Sequence, residues 1–162
     1  MSAQLLALAE RLRLCRAVMV VDSDVRSLAP TVALLAPVAP VIAVTHDRTA
    51  AASLAAACSG VLVVRGGWSD VPDLWRRHRP AVLVIDEHLR ERDGTTHSGA
   101  TLAATLPRGP RVFVVTSEHA ARASLADATR VTQAHAVIRT DSGEWADGLR
   151  AQVHAAVDEA AG

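Results

Sequence analysis

The chain has 162 residues, of which 50% are hydrophobic and 2% are aromatic, so its length and composition predict one domain with an aliphatic core. Lysine and arginine together number 17, as do aspartate and glutamate together, so the formal charge is zero. This balance disfavours a broad basic face for nucleic acid. The sequence has no run of about 18 uncharged apolar residues, which argues against a membrane span.

The first residues and the cysteines suggest a reduced compartment. Glu10 and Arg11 stand where a signal peptide would have its apolar centre, so residues 1–15 are predicted to form an amphipathic helical extension. Cys15 and Cys58 are far apart and have no paired spacing, which favours two reduced thiols over a disulfide. We therefore expect a cytoplasmic protein.

Six short apolar runs recur along the chain, with helical segments between them. The runs are continuous rather than alternating, which is typical of strands that are covered on both faces of a parallel sheet. The predicted strands are 17–21, 41–45, 61–64, 81–85, 112–116 and 136–139. The predicted intervening and final helices are 27–36, 47–57, 69–78, 98–106, 117–131 and 142–160. This alternation predicts one α/β domain over residues 1–162, with a doubly wound parallel sheet of about six strands in three layers.

Polar side chains follow several of these strands, at the edge where function collects in parallel sheets. Asp22 and Asp24 flank Ser23 after the first predicted strand, and Asp86 follows the fourth. Thr116 ends the fifth strand and Arg139 ends the last. We expect these groups to meet at one rim of the sheet.

Such a cluster has a definite chemistry. Carboxylates that lie close together repel each other unless a cation joins them, and Mg²⁺ prefers oxygen ligands of this kind. A carboxylate beside Mg²⁺ can attack phosphorus, while a hydroxyl and an arginine stabilise the oxygens of the transferred group. The set is therefore sufficient to form an aspartyl phosphate.

The segments "VVDSD", "VIDEHLRERDG", "VVTS" and "AVIRT" resemble, in order, those of a response-regulator receiver domain, which has the flavodoxin-like fold. The resemblance implies that Asp86 accepts a phosphoryl group from a histidine kinase. It implies Mg²⁺ at Asp22, Asp24, Asp86 and the main-chain carbonyl of His88. It also implies contacts of Thr116 and Arg139 with the phosphoryl group. The implied output is a contact with another signalling protein or a homodimer through residues 116–150, without nucleic acid, membrane or further enzymatic activity.

Four positions depart from the receiver pattern and suggest an atypical receiver or a pseudo-receiver. Ser23 separates the two acids, and Arg139 replaces a lysine. Ala136 stands where the family has an aromatic switch, and Arg90 stands where it has a proline.

The spacing from Asp22 to Asp86 also predicts one extra βα unit. Residues 60–86 fit the second strand, second helix and third strand of the family, which makes 40–59 the extra unit. Residues 95–98 are predicted to form an inserted loop beside the site.

Several alternatives remain open from the sequence. A pseudo-receiver would bind a partner or ligand without phosphotransfer. A haloacid-dehalogenase-like phosphatase, which the "VVDSD" segment also resembles, would use Asp22 as nucleophile and Asp24 as acid/base. Asp22 and Asp24 also suit helix capping, and Asp86 suits a turn. His88 and His97 are either loop histidines or metal ligands, and Gly66–Gly67 is read as a turn rather than a phosphate loop.

Overall fold

The computed structural model describes residues 3–4, 17–58, 60–106, 111–116, 134–139 and 144–161. Of residues 25, 104, 111–116, 134–139 and 161 it describes the backbone. Most of the predicted extension at 1–15 and the predicted helix at 117–131 lie outside the described residues.

Strands and helices alternate along the chain as the apolar runs predict. The strands are β1 (Val18–Val21), β2 (Val41–Thr45), β3 (Val61–Arg65), β4 (Val82–Asp86), β5 (His88–Arg90), β6 (Thr96–Ser98), β7 (Arg111–Thr116) and β8 (Ala134–Arg139). The helices are α1 (Val25–Leu35), α2 (Arg48–Ala57), α3 (Val71–His78), α4 (Gly99–Ala104) and α5 (Trp145–Ala161), with a 3₁₀ turn at Trp68–Asp70. All six predicted strands are confirmed, whereas β5 and β6 were not predicted.

The main sheet has six parallel strands in the order β3-β2-β1-β4-β7-β8. Helices α1, α2 and α5 contribute to one apolar core beside the sheet, and α3 and α4 contribute to the other. The predicted three-layer, doubly wound architecture is therefore confirmed.

Residues of β4 show why the strand sequences are continuous apolar runs. Val82 and Val84 belong to the first core, and Leu83 and Ile85 belong to the second. All four side chains are buried, so neither face of the strand accepts a polar residue. Successive side chains of β4 point to opposite faces of the sheet, but no polar/apolar alternation is visible in the sequence because both faces are buried.

The extra strand lies at a different place from the one predicted. Val18 of β1 pairs with Val41, so β2 lies beside β1 and β3 forms the outer edge. The assignment of 61–64 to the second-strand position of a receiver was therefore wrong. Without β3, the order is that of the flavodoxin-like fold; with it, the sheet has the strand order of many dinucleotide-binding domains. In both, the direction of winding reverses between β1 and β4.

Helix starts follow local chemistry. The side chain of Asp47 accepts hydrogen bonds from the amides of Thr49 and Ala50 at 2.8 and 2.9 Å, which caps α2. Helix α1 begins at Val25, earlier than predicted, so Pro30 lies inside the helix and not in its first turn. The proline is solvent-exposed, which keeps its ring out of the core.

Within the part of the chain that the structure describes, no helix combines the length and the apolar character that crossing a bilayer requires.

Candidate functional site

The register of β1 and β4 brings Asp22 and Asp86 to the same edge of the sheet. Val21 pairs with Ile85, and each acid directly follows its member of that pair. The two carboxyl groups are near enough for the charge of Asp22 to act on Asp86. We call these two residues the acidic pair.

Asp22 is held by contacts from its own loop and helix. Its side chain is 6% exposed, and its Oδ2 accepts a hydrogen bond from the Ser27 hydroxyl at 2.6 Å. Its Oδ1 accepts a hydrogen bond from the amide of Asp24 at 2.9 Å. Burial raises the pKa of Asp22 to about 6, because these hydrogen bonds only partly offset the loss of water.

Asp86 is the more strongly perturbed member of the acidic pair. Burial raises its pKa to about 8, and the negative charge of Asp22 adds to the effect. Hydrogen bonds from the amides of Glu87 and His88 favour the charged form but do not restore an ordinary pKa. At neutral pH the pair therefore retains a proton unless a cation takes the proton's place.

Asp24 is directed to helix α1. Its Oδ1 accepts a hydrogen bond from the amide of Arg26 at 2.9 Å, and the Nε of Arg26 lies 3.5 Å from the same oxygen. The cap interpretation of Asp24 is therefore confirmed. Among the described residues, no group of three His, Cys, Asp or Glu side chains is placed to hold a metal. The structure brings Asp22 and Asp86 together, but it does not add Asp24 as a third ligand.

Ser23 makes long-range contacts in place of an acid. Its hydroxyl donates to the main-chain carbonyl of His88 at 3.3 Å and accepts a hydrogen bond from the amide of Arg90 at 2.9 Å. The carbonyl of His88 is the one that the family resemblance assigns to the metal. Ser23 thus binds the segment after β4 next to the acidic pair.

Thr116 and Arg139 end neighbouring strands at the same edge. Asp86 pairs with Val115, and Thr116 pairs with Arg139. The backbone therefore places Thr116 beside the end of β4 and Arg139 one strand farther along the same edge. Their side chains lie outside the description, so their contacts with a phosphoryl group remain predictions.

The segment after β4 forms an antiparallel hairpin, β5–β6, where the sequence suggested a loop. Leu89 pairs with His97, and the Leu89 side chain is buried in the second core. Gly94 has a φ of +87° in the connection, a conformation that favours glycine. A glycine between two short segments was the only sequence feature that could have predicted this hairpin. Because both segments contain many polar residues, they do not have the apolar pattern typical of strands.

Glu87 and Gly99 were also missed by the sequence analysis. The Glu87 carboxylate is buried, and it accepts hydrogen bonds from the Ser98 hydroxyl and from the amide of Ala100, the latter at 3.1 Å. A Cβ on Gly99 would lie 2.1 Å from the main-chain oxygen of Asp86. These contacts fasten the start of α4 to the end of β4, and no local sequence pattern announces them.

A cleft of about 680 Å³ opens beside the acidic pair. Its lining includes Asp22 and Asp86 together with Arg26, Arg90 and Trp145. The cleft lies where the winding of the sheet reverses, which is the usual ligand position in open α/β sheets.

Gly66 and Gly67, which the sequence suggested form a turn, connect β3 to the 3₁₀ turn at Trp68–Asp70. The Gly66 amide donates to the carbonyl of Thr45 at 3.0 Å, and the Gly67 amide donates to the Asp70 carboxylate at 2.8 Å. Both amides are thus occupied by the protein, which leaves the phosphate-loop alternative without support.

No protein-family model and no curated protein matches the sequence. The fold is similar to that of a DNA-binding response regulator of the LuxR family from Staphylococcus aureus, with a TM-score of 0.59, 12% identity, and coverage of 88% of this chain and 98% of that chain. It is also similar to a response regulator receiver domain protein from Clostridium thermocellum, with a TM-score of 0.57, 12% identity, and coverage of 88% and 94%.

A third similar structure has a different description. The NAD(P)-binding domain of an exopolyphosphatase-related protein from Archaeoglobus fulgidus matches with a TM-score of 0.52 and 14% identity, over 88% of this chain and 97% of that chain. This likeness agrees with the strand order that β3 produces. At these identities the likenesses concern the fold, and the chain has the α/β fold of response-regulator receiver domains that its sequence resemblance predicted.

Proposed function

We propose that this chain is a receiver-like signalling domain in which Asp86 accepts a phosphoryl group in the presence of Mg²⁺. The observation that carries the proposal is the juxtaposition of Asp22 and Asp86 at the point where the winding of the sheet reverses. A buried and a half-buried carboxylate that lie close together are costly for the fold when both are charged, and a divalent cation removes that cost.

The residues that would hold Mg²⁺ are Asp22, Asp86 and the main-chain carbonyl of His88, with Asp24 remaining the cap of α1. The ion would supply positive charge that keeps Asp86 ionised and neutralises the oxygens of the transferred group. A carboxylate oxygen of Asp86 then forms a bond to phosphorus, and the bond from phosphorus to the donor breaks. The donor is a phosphohistidine or a small acyl phosphate, and its imidazole or carboxylate departs with the electron pair of that bond.

Thr116 and Arg139 are proposed to bind the oxygens of the aspartyl phosphate. The position of Thr116 at the end of the strand next to β4, and of Arg139 at the end of the following strand, supports this role. Arginine keeps a fixed positive charge there and offers a planar pair of donors in place of a lysine ammonium.

The proposed partners are a histidine kinase, or another signalling protein, and a target that is contacted directly. A homodimer through residues 116–150 and a cytoplasmic location belong to the same proposal. Neither nucleic acid nor a membrane is among the proposed partners, and the only chemistry is phosphorylation and dephosphorylation of the domain itself.

The second candidate is a pseudo-receiver that binds a ligand or partner without phosphotransfer. It is favoured by the contacts of Ser23 and Asp24, which use both residues in structural roles next to the acidic pair. The cleft beside the pair is also of a size that accepts a small organic ligand.

The phosphatase alternative is less well supported because of Asp24, which it would use as the acid/base. The Asp24 carboxylate caps helix α1 and accepts a hydrogen bond from the amide of Arg26 at 2.9 Å.

Incubation with acetyl phosphate and Mg²⁺, followed by intact-mass measurement, tests the proposal. We expect the wild-type chain to gain the mass of one phosphoryl group, and Asp86→Asn to gain none. Asp93→Asn is the matched control, because Asp93 lies in the same segment but is exposed. A wild-type chain that gains no mass, or an equal gain in Asp86→Asn, would overturn phosphotransfer at this residue.

A further inference from the structure

We propose that occupation of the acidic pair is transmitted to the hairpin β5–β6, with Ser23 as the positioning residue that couples the two. This inference rests on the proposed function and adds its output element. Three sets of contacts carry it.

The first set joins the hairpin to Asp86 through the backbone. Strand β4 ends at Asp86 and β5 begins at His88, so a single residue separates the acid from the hairpin. The backbone amides of Glu87 and His88 favour the charged form of Asp86 and lower its pKa. A phosphoryl group or a cation bound to Asp86 would change the charge and the position of the carboxylate next to these amides. The start of the hairpin is therefore the nearest backbone to any change at Asp86.

The second set joins the hairpin to the loop after β1. The Ser23 hydroxyl donates to His88 and accepts from Arg90, so one side chain binds both ends of strand β5. These residues are 65 and 67 positions away in sequence, so the contact is tertiary. Because Ser23 lies between Asp22 and Asp24, its hydroxyl joins the hairpin directly to the loop that carries Asp22.

The third set joins the far side of the hairpin to the ends of β2 and β3. The Nε2 of His46 lies 2.5 Å from the main-chain oxygen of Arg90, and the amide of Trp68 donates to Glu91 at 2.8 Å. The ring of Trp68 also packs on His97, with centroids 3.9 Å apart and an angle of 32° between the planes.

These contacts hold the hairpin at the rim of the main sheet. It forms its own two-stranded sheet, and it reaches from the acidic pair to the partly exposed ring of Trp68. A two-stranded hairpin has little stability of its own, so its position depends on the side chains that bind it. Trp68 and His97 thus form the surface where a change at Asp86 would be presented to a partner.

The test uses the full chain with Mg²⁺ and beryllofluoride, a mimic of the phosphoryl group. Fluorine NMR reports whether beryllofluoride binds, and amide hydrogen exchange over residues 87–98 reports the hairpin. Comparison of tryptophan emission between wild type and Trp68→Phe isolates the signal of Trp68.

We expect binding to change both the hairpin exchange and the Trp68 emission in the wild-type chain. In Ser23→Ala, hairpin amides should exchange roughly fivefold faster or more before any ligand is added, because the variant loses both hydrogen bonds of the Ser23 hydroxyl. The fluorine signal of bound beryllofluoride should still appear in this variant, but its binding should cause no further change in the hydrogen exchange of the hairpin. Ser23→Thr should restore the response, and Ser53→Ala, on the exposed face of α2, should behave as wild type.

Bound fluoride in the wild type with unchanged hairpin exchange and unchanged Trp68 emission would overturn the coupling and leave the proposed function intact. A wild-type response that persists unaltered in Ser23→Ala would overturn the role of Ser23. A wild-type chain that gives no bound fluoride signal would overturn both the coupling and the proposed function.

Discussion

The segments that follow β1 and β4 meet at one site, yet they are held in opposite ways. After β1, helix α1 begins within a few residues, and Asp22 and Asp24 are bound by amides and a hydroxyl of the same loop and helix. After β4, the chain forms a hairpin before α4, and its binding partners come from the ends of β1, β2 and β3.

The difference shows how the site divides its tasks. Local contacts fix the acid after β1, so Asp22 keeps its place independently of the rest of the rim. The segment after β4 depends on distant side chains, so it is the part that can respond to a ligand. An acid held by local contacts opposite a hairpin held by distant ones fits the proposed signalling role, and three substitutions test this contrast.

The largest effect is expected from Gly99→Ala, which breaks the junction after β4. The added Cβ would lie 2.1 Å from the Asp86 carbonyl oxygen, so either the strand end or the start of α4 must move. We expect a loss of about 1–3 kcal/mol or more in the free energy of unfolding, measured by urea denaturation.

Gly148→Ala is the control for that substitution. Gly148 lies in α5 with nothing within 4 Å of an added Cβ, so this change should stabilise the fold by about 0.5–1 kcal/mol. Equal effects of the two substitutions would contradict the close approach at Gly99.

A second effect concerns the pH dependence of stability. The pKa of Asp86 rises from 3.8 to about 8 on folding, so the folded state holds a proton that the unfolded state has lost in this range. The contribution of Asp86 to the free energy of unfolding is fully present below its unfolded-state pKa of 3.8. This contribution is lost as the pH rises through the folded-state pKa of about 8. Without divalent ions, we therefore expect the free energy of unfolding to fall between these two pH values.

Asp86→Asn should flatten this profile, because an amide does not titrate. At pH 8 the variant should be more stable than wild type by about 1–3 kcal/mol, the usual cost of an uncompensated buried polar group. Thermal unfolding at a series of pH values gives the comparison. Parallel profiles for the two proteins would show that Asp86 is not the perturbed group.

The smallest effect distinguishes a cap from a metal ligand. Asp24 and Asp47 cap successive helices, and replacing either with alanine should cost about 1 kcal/mol. Mg²⁺ should stabilise both variants as much as it stabilises the wild type, because Asp24 is not one of the proposed ligands. If Mg²⁺ no longer stabilised Asp24→Ala but still stabilised Asp47→Ala, Asp24 would be a metal ligand after all.

The sequence predicted the strands and the acidic edge because these features have local causes. Strands buried on both faces must be apolar throughout, and the residue after each such strand falls at a defined edge. Asp24 was recognisable as a possible cap because an acid before a helix binds the nearest free amides.

The sequence did not predict the hairpin or the position of β3. Ser23, His46 and Trp68 bind the hairpin from three different strand ends, so no short segment contains the information. Likewise, β2 and β3 have similar apolar sequences, and only pairing with β1 decides which one is the outer strand.

The most direct measurement is a carbon-NMR titration of the side-chain carboxyl groups of Asp22 and Asp86, with and without Mg²⁺. Without the ion, we expect midpoints near the raised pKa values of about 6 for Asp22 and about 8 for Asp86. With Mg²⁺, both midpoints should fall, since the ion competes with the proton for the same oxygens. Midpoints near the ordinary aspartate value, or midpoints that Mg²⁺ does not change, would contradict a shared cation site at this edge.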